Sequence, residues 1–466
     1  MIKLAISDLD GTLLTPKGEL PKEIFSVVEK LNKKGILFGI ASGRQLQNLK
    51  NLFAPIVNDA IFIAENGGLG YYKGELLFCN ALNTEQVLAA LKVVRSIDGL
   101  CPLLCAPDCS YYDNEDYQFV KHVDASYTMN SCANLEDVAK SNPICKIAIY
   151  DMKGAEKNGM TKLPALLPDL RIIQSGMEWI DISLHNANKG TALKNILEKI
   201  GISADECMAF GDHMNDLELL QACGHPKIME NSFYKLKEIF KDVIPSNAQL
   251  GVIQELKKLI KQSDKDKLKD KNFVFLGSSV TYGTESGGWS MCEYLSENFS
   301  CNVTKLAVSG TTLVDEGENS YIKRLKSNLS SIKQCDGFIC QLSTNDAWLN
   351  KPLGTISNSF KISDFDVSTI IGGIEFIIAT AQKQWNCPVY FYTGSYFDSK
   401  LYNDMVKALY KIKDKWNIDI IDLYTDEKFN SISSELYNEY MHDAIHPTKK
   451  GYELWWGEKF VESLTK

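Results

Sequence analysis

The first dozen residues contain the feature that most restricts the possible fold. Residues 4–6 form a short apolar run, which predicts a buried parallel strand, and Asp8 and Asp10 follow it. Gly11 and Thr12 then turn the chain away from the sheet. Because residues two apart in an extended segment face the same side, both carboxylates can reach one small volume. This pattern predicts an α/β fold with an acidic site at the carboxyl end of a strand.

Two interpretations of this acidic turn are open. Asp and Gly are common turn residues, so the segment could be an ordinary exit from a strand. Alternatively, two adjacent carboxylates repel each other, and a divalent cation or a shared proton relieves that repulsion. Residues farther along the chain favour the second interpretation.

Length and composition exclude several classes of protein. At 466 residues the chain is too long for one core, so we expect two or three domains. The net formal charge of −9 argues against nucleic acid or an anionic membrane as a partner. Apolar runs are too short to span a bilayer, and the first residues lack the pattern of a secretory signal. The 13 cysteines, with no C-x-x-C pair, are typical of reduced thiols, so we expect a cytoplasmic protein.

Three more polar features follow in the first half. A predicted strand over 36–41 runs into Ser42-Gly43-Arg44, where a hydroxyl and backbone N–H groups suit a phosphate oxygen, although such a turn alone is usually structural. Lys189 lies in the first turn of a predicted helix, where a cation is unfavourable, so we expect an anionic partner. A strand over 207–210 ends in a second acidic cluster, Gly211-Asp212-His213-Met214-Asn215-Asp216.

The pattern changes between residues 81 and 184. Short strands and helices of mixed order replace the strand–helix alternation, which resumes after residue 185. We expect a small α+β sheet inserted into a first domain that consists of 1–80 and 185–262. Such a cap would exclude water and select the substrate.

In this order and spacing, the four motifs resemble the haloacid dehalogenase (HAD) superfamily, in particular its sugar-phosphatase-like branch with a large cap. The resemblance implies a Rossmann-like core and an Mg²⁺-dependent phosphatase for small phosphomonoesters, such as a sugar phosphate. It makes Asp8 the nucleophile that becomes an aspartyl phosphate, and Asp10 the general acid and base. It also implies phosphate binding by Ser42, Gly43, Lys189 and Asn215, and magnesium binding by Asp8, the backbone carbonyl of Asp10, Asp212 and Asp216, the last of which could instead pair with Lys189.

A charged tract over 257–272 separates the two halves. It has almost no apolar periodicity after Ile260, and its acidic and basic residues alternate. We expect the end of a helix, a solvated linker at 263–271 and a second domain over 272–466.

The second half begins another α/β pattern with its own set of polar residues. Ser279, Gly310 and Asn345 each follow a predicted strand, and Asp443 and His446 precede the last helix. Ser279 could be a nucleophile, His446 its base and Asp443 the group that orients the imidazole. The backbone N–H groups of Ser279 and Gly310 and the amide of Asn345 could form an oxyanion hole.

This set resembles the SGNH (GDSL-type) hydrolases, which are serine esterases and acyl hydrolases with a flavodoxin-like α/β fold. Two positions depart from the family pattern: Ser278 stands where Asp is usual, and Ser343 where Gly is usual. Neither departure removes a catalytic atom. Together the two resemblances imply a bifunctional hydrolase with a small phosphorylated metabolite and a small ester as substrates.

Three alternatives stay open. One half could be a non-catalytic ligand-binding or scaffold module, and the two departures make the second half the weaker candidate for activity. The phosphoryl group could pass to an acceptor other than water. Both halves could also act on one metabolite, such as an acylated sugar phosphate.

Overall fold

The chain forms two compact units. The computed structural model describes residues 1–114, 116, 119–121 and 128–466. The units are Met1–Lys261 and Gln262–Lys466. Within the described residues the first unit contains an eight-stranded and a six-stranded sheet, and the second contains a five-stranded sheet. Both units alternate strands with helices, which confirms the predicted α/β class.

The strands of the described residues are β1 (Leu4–Ser7), β2 (Leu37–Ala41), β3 (Ala60–Ala64), β4 (Leu69–Tyr72), β5 (Glu75–Cys79), β6 (Leu100–Cys105), β7 (Ser110–Tyr112), β8 (Met129–Ser131), β9 (Lys146–Asp151), β10 (Arg171–Gln174), β11 (Trp179–Ser183), β12 (Cys207–Gly211), β13 (His225–Met229), β14 (Val243–Ile244), β15 (Asn272–Gly277), β16 (Asn302–Ala307), β17 (Gly337–Gln341), β18 (Val389–Tyr392) and β19 (Asp419–Ile421).

The α-helices that the structure describes in full up to the unit boundary are Ile24–Lys33, Leu46–Leu52, Thr84–Arg95, Leu135–Ser141, Gly159–Leu166, Lys189–Ile200, Leu217–Gln221, Tyr234–Ile239 and Gly251–Leu268. Those that follow are Ser279–Tyr282, Met291–Phe299, Tyr321–Asn328, Thr344–Trp348, Ile370–Trp385, Lys400–Trp416, Glu427–Asn430, Ser434–Tyr440, Lys449–Gly451 and Gly457–Leu464. Across the described part of the chain, each helix is too short or too polar to cross a bilayer.

The eight-stranded sheet is built around β1. Its strand order is β14-β13-β12-β1-β2-β3-β4-β5, and β1 runs parallel to both of its neighbours. Leu4 and Ile6 pack into one apolar cluster and Ala5 into another, so both faces of β1 are covered. A parallel strand that is buried on both faces needs an uninterrupted apolar run, which is the pattern at 4–6.

A separate six-stranded sheet lies within the segment predicted as the cap. Its order is β10-β11-β9-β6-β7-β8, and most of its pairs are antiparallel. Ile180 and Ile182 of β11 pack beneath helices on one face. Because side chains alternate along a strand, Trp179 and Asp181 lie on the opposite face. β8 and the helix Leu135–Ser141 are short, and the sequence pattern did not predict either of them.

The second unit has a fully parallel sheet with the order β16-β15-β17-β18-β19. Counted within the unit, this order is 2-1-3-4-5, which is the flavodoxin-like order that was predicted. Its topological switch point lies at β15, because β16 and β17 flank that strand on opposite sides. The crevice at the carboxyl end of β15 is therefore the expected ligand site.

The expected solvated linker at 263–271 is wrong, because the helix Gly251–Leu268 occupies most of it. Ser263 and Asp264 are buried, and Leu268, only 1% exposed, packs in a cluster with Phe273 and Leu295. Lys265, Asp266 and Lys267 occupy the exposed positions between Asp264 and Leu268. Because Ser263 and Asp264, two of the buried residues, are polar, the hydrophobic pattern does not show the helical period.

Replacing Leu268 by Ala is expected to lower the free energy of unfolding by about 2–4 kcal/mol, because it removes buried methyl groups and leaves a cavity. Denaturant titration of the full chain measures this change. Lys269→Ala changes an exposed neighbour and serves as the control. If both variants were as stable as the unchanged chain, the segment would be a solvated linker after all.

Candidate active sites

The carboxyl ends of β1 and β12 bring the two acidic motifs of the first unit together. Asp8 follows β1, Asp212 follows β12, and the two strands are neighbours in the sheet. Carboxylate oxygens of Asp8, Asp212 and Asp216 all lie within 4.8 Å of one another. Gly11 makes this approach possible: its φ is +83°, and a Cβ there would lie 2.3 Å from Asp212 Oδ2.

Lys189 joins this acidic cluster from the start of its helix. The Asn188 side chain caps the helix Lys189–Ile200 by accepting from the Thr191 N–H, which sets Lys189 in the first turn. Its ammonium is 1% exposed and donates to Asp8 Oδ1 at 2.5 Å and to Asp216 Oδ1 at 2.6 Å. The anionic partner expected for Lys189 is this pair of carboxylates.

The electrostatics of the cluster favour an additional cation. Burial and the charge of Asp216 raise the pKa of Asp8 to about 8, although Lys189 opposes this shift. Burial and Asp216 likewise raise the pKa of Asp212 to about 6. Three carboxylates face one ammonium, so a divalent cation would relieve the remaining repulsion. Carboxylate oxygens are the ligands that Mg²⁺ prefers, and the residues present therefore fit this ion.

A cavity of about 840 Å³ opens above the cluster. The predicted site residues that line it are Asp8, Asp10, Ser42, Gly43, Lys189, Asp212 and Asn215. Asp216 is fully buried beneath the cavity, where its Oδ2 accepts from the backbone N–H groups of Asp212 and His213. Asp216 thus holds both Lys189 and the loop after β12.

Arg44 is a partner that the sequence analysis did not assign. Its Nε and Nη2 donate to the two carboxylate oxygens of Asp10 at 3.0 Å and 2.5 Å. Both side chains are well exposed, so the pair contributes about 1 kcal/mol or less. Asp10, the predicted general acid and base, is therefore held only weakly by Arg44.

The cap sheet contributes charged and aromatic side chains to the same cavity. Lys146, Trp179 and Asp181 line it from the cap. The buried Lys146 ammonium lies 2.6 Å from Glu65 Oε2 and 3.4 Å from Asp181 Oδ2, while Asp181 Oδ1 is buried and has no hydrogen-bond partner among the described residues. The sequence carried one signal for this position: a carboxylate between Ile180 and Ile182 in a strand.

The second unit brings Ser279, His446 and Asp443 into one hydrogen-bonded chain. Ser279 Oγ lies 2.8 Å from His446 Nε2, and His446 Nδ1 lies 2.8 Å from Asp443 Oδ2. A carboxylate only accepts, so Nδ1 carries the proton and Nε2 is left to accept from the serine hydroxyl. Burial alone would raise the pKa of Asp443, but hydrogen bonds from His446 and backbone N–H groups lower it.

The predicted oxyanion donors surround the carboxyl ends of β15, β16 and β17. Ser279 starts a short helix after β15, and Gly310, with φ +76°, lies in the turn after β16. Asn345 follows β17, and one N–H of its amide donates to the Thr311 carbonyl at 2.9 Å. The second N–H of that amide can serve an oxyanion.

Both departures from the family pattern are used structurally. The Ser278 hydroxyl donates to Gln341 Oε1 at 3.4 Å, beside the bond at 2.9 Å from the Ser278 backbone N–H, and this serine is fully buried. The Ser343 hydroxyl caps the helix Thr344–Trp348 by accepting from the Asp346 N–H. Asp346 in turn accepts from the Leu313 and Val314 N–H groups, which the sequence analysis did not foresee.

Family models match both halves of the chain. Residues 5–256 match the model for haloacid dehalogenase-like hydrolases, and residues 275–454 match the GDSL-like lipase/acylhydrolase family.

Two curated relatives and one solved structure each match about half of the chain. The chain is 26% identical over 267 residues to the 5-amino-6-(5-phospho-D-ribitylamino)uracil phosphatase YbjI of Escherichia coli, which covers 56% of this chain and 97% of that protein. It is 29% identical over 241 residues to the HMP-PP phosphatase of Cronobacter sakazakii, and this match covers 51% of this chain and 87% of that protein. A protein from Eubacterium rectale with a crystal structure is 26% identical to this chain. The two structures superimpose with a TM-score of 0.52 over 55% of this chain and 99% of the other chain.

Replacing Lys189 by Met is expected to lower the free energy of unfolding by about 3 kcal/mol in the absence of divalent cations, because Asp8 and Asp216 lose their buried counter-charge. Denaturant titration measures the loss. Lys194→Met, which changes an exposed lysine of the same helix, is the matched control. A Lys189→Met protein as stable as this control would contradict the buried ion pair.

Proposed function

Because the chain belongs to the haloacid dehalogenase-like hydrolase family and its second half is a GDSL-type hydrolase domain, we propose that it is a bifunctional hydrolase. The first unit would be an Mg²⁺-dependent phosphatase for small phosphomonoesters, and the second a serine esterase. The observation that carries this proposal is the presence of two separate reactive sets. One is the carboxylate cluster around Lys189, and the other is the chain from Ser279 to Asp443.

In the proposed phosphatase reaction, Asp8 attacks phosphorus and the bond to the leaving oxygen breaks. Asp10 gives its proton to that oxygen, which leaves as an alcohol. Asp10 then takes a proton from water, and the water oxygen attacks the aspartyl phosphate. The bond between Asp8 and phosphorus breaks, and inorganic phosphate and free Asp8 result.

The remaining residues of the first site bind charge. Mg²⁺ would be held by Asp8, Asp212 and the backbone carbonyl of Asp10, with Asp216 supporting them. When bound, the ion withdraws charge from the phosphoryl group. Ser42, Gly43, Lys189 and Asn215 would bind the phosphoryl oxygens.

The cap is proposed to select the leaving group. Trp179 offers a flat apolar surface, and within the described part of the chain Asp181 Oδ1 receives no hydrogen bond. These features suit a leaving group with a ring and an N–H or O–H group. Two relatives are named for phosphorylated metabolites, which supports a small substrate such as a sugar phosphate.

Asp8→Asn is expected to reduce phosphate release from p-nitrophenyl phosphate by about 10³-fold or more, because it removes the nucleophile. A chelator should stop the unchanged enzyme, and added Mg²⁺ should restore it. Asp59→Asn, an exposed carboxylate of the same unit, should behave like the unchanged enzyme. Continued phosphate release by Asp8→Asn would show that the assignment of the nucleophile is wrong.

In the proposed esterase reaction, Ser279 Oγ attacks the acyl carbon while His446 Nε2 takes its proton. The ester bond breaks, His446 returns the proton to the leaving alcohol, and the acyl group stays on Ser279. Water, deprotonated by His446, then releases the acid and restores the serine. Asp443 keeps the imidazole in the reactive tautomer throughout.

Ser279→Ala is expected to reduce cleavage of p-nitrophenyl acetate by about 10³-fold or more, because no acyl-enzyme can form. It should also abolish covalent labelling by a fluorophosphonate, while phosphate release stays unchanged. Ser363→Ala, an exposed serine of the same unit, is the control. An unchanged chain that is neither labelled nor active on esters would instead support a non-catalytic second half.

A further inference from the structure

A buried guanidinium lies close to the second site. Arg324, on the helix Tyr321–Asn328, is 8% exposed. Among the described residues it forms no ion pair with a carboxylate, and burial lowers the pKa of its guanidinium. A buried arginine is normally paired with an acidic group, so this one requires another explanation.

The guanidinium is held by the carboxyl ends of β15 and β16 and by the turn after β16, next to the nucleophile and one predicted oxyanion donor. Its Nη1 donates to the carbonyls of Gly277 at 2.9 Å and Leu306 at 3.0 Å. Its Nη2 donates to Thr311 Oγ1 at 3.0 Å. The ring of Tyr321 also packs against it, with 5.1 Å between the guanidinium carbon and the ring centroid.

These acceptors are next to reactive positions. Gly277 is two residues before Ser279, and Thr311 directly follows Gly310. The Thr311 carbonyl accepts from the amide of Asn345. One guanidinium thus connects the end of β15, which leads to Ser279, with the turn that contains Gly310, and the Thr311 carbonyl connects this turn to Asn345.

We propose that Arg324 is a positioning residue of the esterase site, which holds the Ser279 turn and the Gly310 loop at the separation that an oxyanion requires. This inference rests on the esterase function proposed above. Arg324 does not touch the substrate. It acts by fixing the N–H groups of Ser279 and Gly310 before the reaction begins, so that no reorganisation is needed when negative charge develops.

The role predicts a loss in kcat with little change in KM, because oxyanion donors act in the transition state. In Arg324→Met, kcat on p-nitrophenyl acetate should fall about 100-fold, comparable to the loss of one oxyanion donor. In Arg324→Lys the lysine keeps the charge and can donate to one of the acceptors, so its kcat should be about tenfold higher than that of Arg324→Met. Lys323→Met, which changes an exposed lysine of the same helix, should match the unchanged enzyme.

Active-site titration separates positioning from folding. A fluorophosphonate, incubated until labelling is complete, counts the molecules with a reactive Ser279, and kcat is then expressed per labelled site. If Arg324 were only structural, Arg324→Met would show fewer labelled sites but an unchanged kcat per site, and this result would overturn the proposal. A reduced kcat per site, with partial recovery in Arg324→Lys, would support it.

A milder variant covers the case in which Arg324→Met fails to fold. Thr311→Val keeps the shape of the side chain. It removes the bond from Arg324 Nη2 and the bond that Thr311 Oγ1 donates to the Val308 carbonyl at 2.6 Å, both of which hold the Gly310 loop, so kcat per site should fall about tenfold. An unchanged kcat per site would overturn the proposal. If the unchanged chain is neither labelled nor active on esters, the esterase function itself fails, and the role of Arg324 falls with it.

Discussion

The first unit depends on two ion pairs. The ammonium of Lys189 is buried between the carboxylates of Asp8 and Asp216 and bonds both. Taking these three charges out of water is costly, and short hydrogen bonds to both carboxylates offset that cost. The bonds require β1 and β12 to be neighbours and the helix from Lys189 to begin at the same edge of the sheet. The fold and the site therefore depend on each other. If these elements did not meet at one edge of the sheet, Lys189, Asp8 and Asp216 would be buried charges without partners.

The second unit follows the same geometric rule with different chemistry. Ser279, Gly310 and Asn345 come from the ends of three parallel strands that are adjacent in the sheet. Parallel strands end at one edge, so residues far apart in sequence meet there without a special connection. His446 lies in a loop near the end of the chain. The hydrogen bond from its Nδ1 to Asp443 orients the imidazole ring.

The features that could be predicted were those carried by a local pattern. Apolar runs next to Asp8, Asp212 or Ser279 indicated both the strands and the residues at their ends. The contacts of Arg44 with Asp10 and of Arg324 with Gly277 were missed, because they join residues 34 and 47 positions apart that no periodicity relates. The helix through Leu268 was missed for another reason, since small polar residues occupy part of its buried face.

The two sites differ in how their geometry is maintained. In the first, charges of opposite sign hold the loops, and a proton or a divalent cation can balance the excess of carboxylates. In the second, the nucleophile turn is held by neutral bonds, such as that from the Ser278 N–H to Gln341, and by the guanidinium of Arg324. A carboxylate at position 278 would be a fully buried charge at the end of a strand. The serine at this position avoids that cost. The bond from the Ser278 N–H to Gln341 holds the turn without the aspartate that the family usually has.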